Sequence, residues 1–168
     1  YSLTGMNDHV SCGEGLTTTF RELKPGTVDA MFEGFAPLRL CLFAEPVNVY
    51  RGARVRFEAA LANDDALAPG AYPVRLLVAG PQNERIFEKT VNVTIAKDAP
   101  FAVPVFADDV VVNGPSGRYR FLASFERGGA ATGGETEFYV ADPAEMPAVK
   151  TEVTLGGEDA TLAKWLDD

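Results

Sequence analysis

The chain has 168 residues, of which 46% are hydrophobic and 23% charged. This composition is typical of one soluble globular domain with a substantial core, and it argues against wholesale disorder. A net charge of −9 argues against a nucleic-acid partner, because an acidic surface with scattered arginines repels phosphates. No apolar run approaches the roughly 20 residues that a helix needs to cross a bilayer, so no membrane partner is predicted. The compartment stays open.

Residues 1–37 form a mixed first stretch. Tyr1 to Met6 is a predicted strand that ends in the polar loop Asn7-Asp8-His9. Further along, Leu16, Phe20 and Leu23 fall at helical spacing. The segment Lys24-Pro25-Gly26 then breaks the chain, because proline and glycine interrupt regular structure.

A short helix is predicted next. Thr27 is its expected N-cap, since a threonine hydroxyl can accept a hydrogen bond from the free amides of a first helical turn. The helix is expected to run through Phe32, with Gly34 as its stop.

Residues 38–142 carry the clearest pattern. Apolar and polar residues alternate with the period of two that is typical of strands with one buried face. Turn signals rich in Asn, Asp, Gly and Pro separate the strands, and no helical period appears between them. The pattern predicts a mainly β fold, an immunoglobulin-like antiparallel sandwich of about seven or more strands. The apolar phase contains Val55, Phe57, Leu61, Val74, Leu76, Val78, Val91, Val93, Ile95, Tyr119, Phe121, Phe125, Phe138 and Val140.

Two tyrosines occupy similar positions in this stretch. Tyr72 and Tyr119 each follow a Gly-x-Tyr pattern at the entry to a strand. Such a tyrosine can hydrogen-bond to backbone across the turn, as in the tyrosine corner of immunoglobulin-like sandwiches. The alternative is an ordinary half-buried tyrosine.

Residues 143–168 differ again. Val149, Thr151, Val153 and Leu155 are predicted to form a strand, and Gly156-Gly157 a turn. Asp159 is the expected cap of a helix through Leu162, Trp165 and Leu166. Strand, glycine turn and helix together indicate the truncated start of a following α/β domain.

Few residues suit catalysis or metal binding. His9 is the single histidine; His9 and Cys12 could supply two zinc ligands, and Cys41 a third only if the fold brought it near, whereas a zinc site needs three or four. A Cys12–His9 pair lacks an evident third group to orient it, and Gly114-Pro115-Ser116-Gly117 lacks the spacing of a nucleophile elbow. We therefore predict no catalytic residue, metal or cofactor in this chain, and free thiols at both cysteines.

The aromatic residues of the predicted strands also argue against a sugar-binding platform. Phe57, Phe121, Phe125 and Phe138 fall on the apolar phase, where core positions lie. No exposed row of aromatic residues is evident from the alternation. Trp165, the single tryptophan, lies in the predicted last helix.

Several phrases of the sequence resemble a known family. Residues 4–9, 13–15, 20–26 and 35–39 look like the region that follows the catalytic barrel in bacterial family 2 glycoside hydrolases, of the β-galactosidase and β-glucuronidase type. Residues 61–64 and 69–74 are similar to an immunoglobulin-like accessory domain of such enzymes. The last segment resembles the start of a further domain.

The resemblance implies a division into 1–37, a segment after an absent barrel, 38–142, the sandwich, and 143–168, a strand-helix tail. It implies a non-catalytic module that packs against the barrel of the same polypeptide, with a possible contact between copies of the chain. The two catalytic glutamates of that family would lie upstream of Tyr1, so neither is assigned. Asn7, Asp8 and His9 would sit on the substrate side of the last barrel strand, unless they are only a polar loop.

The expected docking patch lies in the first stretch, at Met31, Phe32 and Phe35. The alternative function is a stand-alone carbohydrate-binding or protein-interaction sandwich, which would present aromatic side chains on solvent-facing strand positions. A fold of this kind hosts many functions and does not decide between them.

Overall fold

A computed structural model describes residues 5–9, 11–147 and 154–167. These residues form eight strands, two α-helices and one short 3₁₀ helix. The elements in chain order are α1 (Thr27–Phe35), β1 (Leu38–Glu45), β2 (Asn48–Tyr50), β3 (Arg54–Asn63), β4 (Gly70–Ala79), β5 (Arg85–Ile95), β6 (Ala102–Val111), β7 (Gly117–Phe125), β8 (Glu135–Ala141), the 3₁₀ helix Pro143–Glu145 and α2 (Ala160–Asp167).

The strands form two sheets that pack face to face. A three-stranded sheet has the order β1-β3-β6, and a five-stranded sheet has the order β2-β8-β7-β4-β5. This architecture confirms the predicted mainly β sandwich. One pairing in it is parallel, since β2 runs parallel to β8, with Asn48 opposite Tyr139. After β1 the chain crosses to the other sheet, so a short strand joins β8 in the parallel direction.

The alternating residues build one core between the sheets. Phe57 on β3 contacts Phe121 on β7 and Phe138 on β8, with ring centroids 5.0 Å and 5.3 Å away. All three rings are fully buried, as the apolar phase of their strands predicts. Phe125, also predicted as core, is partly buried and packs against the cluster. The polar residues of the same strands face solvent.

Both predicted tyrosine corners are present. The Tyr72 hydroxyl donates to the carbonyl oxygen of Ala68 at 2.8 Å, and the Tyr119 hydroxyl to that of Pro115 at 2.7 Å. Each acceptor lies four residues before its tyrosine. These bonds fix the turns that lead into β4 and β7.

The first stretch differs from its prediction in the region of Leu16, Phe20 and Leu23. No helix forms there among the described residues, because Thr17 pairs with Asn7 and with Leu23 in isolated β-bridges. Between those bridges the Thr18 amide bonds to the Glu22 carbonyl at 2.8 Å. The helical spacing was therefore coincidental, and tight turns replace the helix. The predicted strand Tyr1–Met6 lies largely outside the described residues, and Met6 is in a bend.

Helix α1 begins and ends at residues other than the predicted ones. Gly26, in the left-handed conformation at φ 75°, is the N-cap and Thr27 is the first helical residue. Gly34 lies within the helix rather than ending it. The helix stops at Phe35 because Ala36 is extended, as residues before a proline such as Pro37 tend to be.

The last stretch is described only in part. Of its predicted strand, Val149, Thr151 and Val153 lie outside the described residues, and Leu155 has no regular secondary structure. The predicted cap is confirmed, since Asp159 Oδ1 accepts from the amides of Thr161 and Leu162 at 3.0 Å each. The proposed division at residues 37 and 142 stays a prediction.

Candidate functional site

Asp8 stabilises the polar loop Asn7-Asp8-His9, which was predicted to face substrate. Asp8 Oδ1 accepts hydrogen bonds from Lys24 Nζ and from the Gly15 amide, each at 2.8 Å. Lys24 Nζ also donates to the Gly13 carbonyl oxygen. The hydrogen bond that the Lys24 ammonium group donates to Asp8 is the main reason that the pKa of Asp8 lies below its ordinary value. Asp8 therefore holds together three parts of the chain that are distant in sequence.

The two neighbours of Asp8 differ in their surroundings. The Asn7 side-chain oxygen accepts from the Thr17 hydroxyl, whereas the His9 side chain is exposed. The His9 and Cys12 backbones exchange two hydrogen bonds, of 3.0 Å and 3.1 Å, around a tight turn. Partners in such a pair project their side chains to the same side. Cys12 and Cys41 are both free thiols, as predicted.

These contacts give the polar loop a defined shape. The carboxylate nearest to His9 in sequence, that of Asp8, is engaged with Lys24 and Gly15 and does not complete a His9–Cys12 pair. Within residues 5–9, 11–147 and 154–167, no three His, Cys, Asp or Glu side chains converge on a possible metal position. The roles of Asn7, Asp8 and His9 toward a substrate stay a prediction.

A second feature is the exposure of large apolar side chains before β1. Phe20 is 88% and Phe32 68% exposed. None of the residues of α1 is buried, although Val28, Met31, Phe32 and Phe35 give the helix an apolar composition. Of the three residues expected in the docking patch, Phe32 and Phe35 are exposed and Met31 is half-buried. We call Met6, Phe20, Leu23, Val28, Phe32 and Phe35 the N-terminal apolar residues.

A shallow groove lies on the outer face of the three-stranded sheet. Phe43, Glu45, Arg56 and Glu58 line it. Arg56 Nε bonds to Glu58 Oε1 at 3.0 Å, and its Nη1 lies 3.5 Å from Asp109. The bond to Glu58 raises the pKa of Arg56 above its ordinary value, so these charges compensate each other within the groove.

Sequence reasoning missed one exposed aromatic pair. Tyr50 is 57% and Tyr139 49% exposed, on the outer face of the five-stranded sheet. Tyr139 lies between Phe138 and Val140, which are buried, so the strand alternation turns it outward. That alternation was the available signal for Tyr139. The sequence analysis did not single out these two positions, which the parallel β2–β8 pairing brings to one face.

Neither helix of the described part of the chain has the length and apolarity that crossing a bilayer requires. Comparison with protein families finds no matching family model. Comparison with curated proteins finds no match either.

Several solved structures share the general chain path. One is a glycosyl hydrolase family 2 member from Bacteroides cellulosilyticus, with a TM-score of 0.45 and 17% identity over 61% of this chain and 15% of that one. Another is the CARDB domain of a Pyrococcus furiosus protein in complex with di-metal ions, with a TM-score of 0.43 and 15% identity over 62% of this chain and 91% of that one.

A third is the Pseudomonas fluorescens alkylpurine DNA glycosylase AlkC bound to DNA, with a TM-score of 0.44 and 17% identity over 68% of this chain and 33% of that one. A similarity of this size carries no argument about the function of this chain.

Proposed function

We propose that this chain is a non-catalytic accessory module of a multidomain family 2 glycoside hydrolase, and that it packs against the catalytic barrel of the same polypeptide. The observation that carries the proposal is the exposure of the N-terminal apolar residues. The resemblance of residues 4–9, 13–15, 20–26 and 35–39 to the region after such a barrel names the partner. A contact between copies of the chain stays a prediction.

The helix α1 supports a missing partner on physical grounds. It has nine residues and no buried one. Helices shorter than about 12–15 residues are marginal in water, and most of their stability in proteins comes from packing an apolar face. Val28 and Phe32 offer such a face, and burying a side chain of Phe32 size contributes about 1.5–3 kcal/mol. A neighbouring domain would supply a surface against which the exposed face at Val28 and Phe32 could be buried.

Three carboxyl groups of the described residues have structural partners rather than the surroundings of a glycosidase acid. A glycosidase acid needs a carboxyl group whose pKa is raised. The carboxyl groups of Asp8, Glu88 and Asp142 have lowered pKa values instead, each with a basic partner nearby. These groups stabilise turns and strands as carboxylates.

The test compares two proteins on a panel of nitrophenyl β-glycosides. One is the 168-residue chain, and the other is a longer polypeptide that carries the proposed barrel ahead of residue 1. We expect activity in the longer polypeptide and none in the chain alone. Activity in the chain alone would overturn the proposal, and inactivity of both would remove the glycosidase assignment.

Matched variants test the docking itself. Phe32→Ser should lower the melting temperature of the longer polypeptide but not that of the isolated chain, because Phe32 would be buried only against the barrel. Phe101→Ser is the control, since Phe101 is 61% exposed and lies outside the N-terminal segment. Equal effects of Phe32→Ser in both proteins would contradict the docking.

A further inference from the structure

We propose that Tyr50 and Tyr139 form a binding surface for a neutral oligosaccharide on the outer face of the five-stranded sheet. This inference does not depend on the proposed barrel, because the N-terminal apolar residues take no part in it. Its basis is the register of β2 and β8 and the chemistry of the side chains around the two phenols.

The parallel register places the two tyrosines on one face. Asn48 lies opposite Tyr139, and Val49 opposite Val140. Val140 is buried and Val49 packs against the core, so Asn48, Tyr50 and Tyr139 face outward. Tyr50 is thus the diagonal neighbour of Tyr139. With about 3.3 Å per residue and about 4.8 Å between strands, their Cα atoms are about 8 Å apart.

The backbone that carries the tyrosines is well fixed. The Tyr139 amide donates to the Val47 carbonyl oxygen at 2.7 Å, and the Arg51 amide to that of Ala141 at 2.8 Å. The Arg51 guanidinium also bonds to Asp142 at 3.0 Å and to the Asn113 carbonyl oxygen at 3.1 Å. A ligand would therefore meet rings on a prearranged support, which lowers the entropy lost on binding.

The aromatic chemistry suits a sugar. A pyranose ring has faces of C–H groups and a rim of hydroxyl groups. A tyrosine offers an apolar ring with a negative face and a polar hydroxyl at its end, so it can stack on the C–H face and hydrogen-bond to the rim. The exposed Asn48 amide next to Tyr139 adds a donor and an acceptor.

The charges around the pair favour a neutral ligand. Arg118, opposite Tyr139 on β7, is paired with Glu137 at 3.2 Å. Arg51 is paired with Asp142. An anion would have to compete with these carboxylates on a chain of net charge −9.

The test is a calorimetric titration of the 168-residue chain with soluble oligosaccharides from cellulose, xylan, mannan and galactan. We expect one of these probes to bind, and Tyr50→Ala and Tyr139→Ala each to weaken that binding by about fivefold or more. Tyr50→Phe and Tyr139→Phe should retain most of it, since they keep the ring. Binding should change little with added salt, because the ligand is neutral.

Phe43→Ala is the matched control, because Phe43 is a half-exposed aromatic residue on the other sheet. It should bind like the unchanged chain. Unaltered melting temperatures of the Tyr50 and Tyr139 variants would show that they fold. The inference is overturned if no probe binds, or if both alanine variants bind as tightly as the unchanged chain. Either result leaves the docking proposal untouched, since α1 is intact in every variant.

Discussion

The hydroxyl of Tyr119 lies 2.7 Å from the carbonyl oxygen of Pro115 and donates a hydrogen bond to it. The ring itself is fully buried against Phe138, with centroids 5.2 Å apart. Burial raises the pKa of Tyr119 above its ordinary value, because a charged phenolate would lose its solvation there. One side chain thus joins the β6–β7 turn to the core.

Replacing Tyr119 by phenylalanine removes that bond and leaves the Pro115 carbonyl without its donor. We expect the free energy of unfolding to fall by about 1–2 kcal/mol, to be measured by urea denaturation. Tyr72→Phe is the control and should cost less, because the Tyr72 bond is exposed to solvent. A larger loss for Tyr72→Phe would argue against the importance of burial.

Gly114 allows the corner to close. A Cβ atom added at Gly114 would lie 2.2 Å from the Tyr119 hydroxyl oxygen, and the buried ring has no room to retreat. Gly114→Ala should therefore lower stability by about 1–3 kcal/mol. Gly34→Ala provides the comparison, since nothing lies within 4 Å of its added Cβ and alanine favours a helix. A harmless Gly114→Ala would show that the corner can open.

The aromatic core makes a further prediction. Phe57 is fully buried and contacts both Phe121 and Phe138. Phe57→Ala leaves a cavity between the two sheets, and we expect a loss of about 3–5 kcal/mol in thermal or urea unfolding. Phe101→Ala, at an exposed position, should change stability by less than about 0.5 kcal/mol. Similar losses for both variants would contradict the assigned core.

Acid should weaken the ion pair between Arg51, which follows β2, and Asp142, which follows β8. The pKa of Asp142 is lowered from its ordinary 3.8, first by the Ala144 amide and then by Arg51. A lowered folded-state pKa means that the stabilisation is present above pH 3.8 and is lost as the pH falls through the folded-state value. As the pH falls below 3.8, the melting temperature of the unchanged chain should decline more than that of Asp142→Asn. Parallel profiles of the two proteins would exclude a contribution from Asp142.

The loop around Asp8 can be tested by amide exchange. Asp8→Ala removes the acceptor of the Gly15 amide and the partner of Lys24, so the Gly15 amide should exchange faster. Glu14→Ala is the control, because Glu14 is an exposed neighbour of Gly15. Unchanged exchange in Asp8→Ala would show that the loop is held by other contacts.

The prediction of strands succeeded where one face of a strand is buried. Alternation reports which face a residue occupies, and it assigned Phe57, Phe121 and Phe138 to the core. Helical spacing, by contrast, was misleading at Leu16, Phe20 and Leu23, because three residues at that spacing are few enough to arise by chance. The loop Asn7-Asp8-His9 was singled out from the sequence, but its link to Lys24 was not, since sixteen residues separate the two partners.

The sequence by itself determined the fold class, the polar and apolar faces of the main strands and the cap at Asp159, and it indicated the two tyrosine corners as one of two alternatives. These features depend on neighbours within a few residues, so the order of residues along the chain is enough to predict them. Only the tertiary structure decided that β2 pairs with β8 in parallel, that Tyr50 and Tyr139 share a face, and that Asp8 meets Lys24. Such contacts join residues distant in sequence, so local preferences along the chain do not set their geometry.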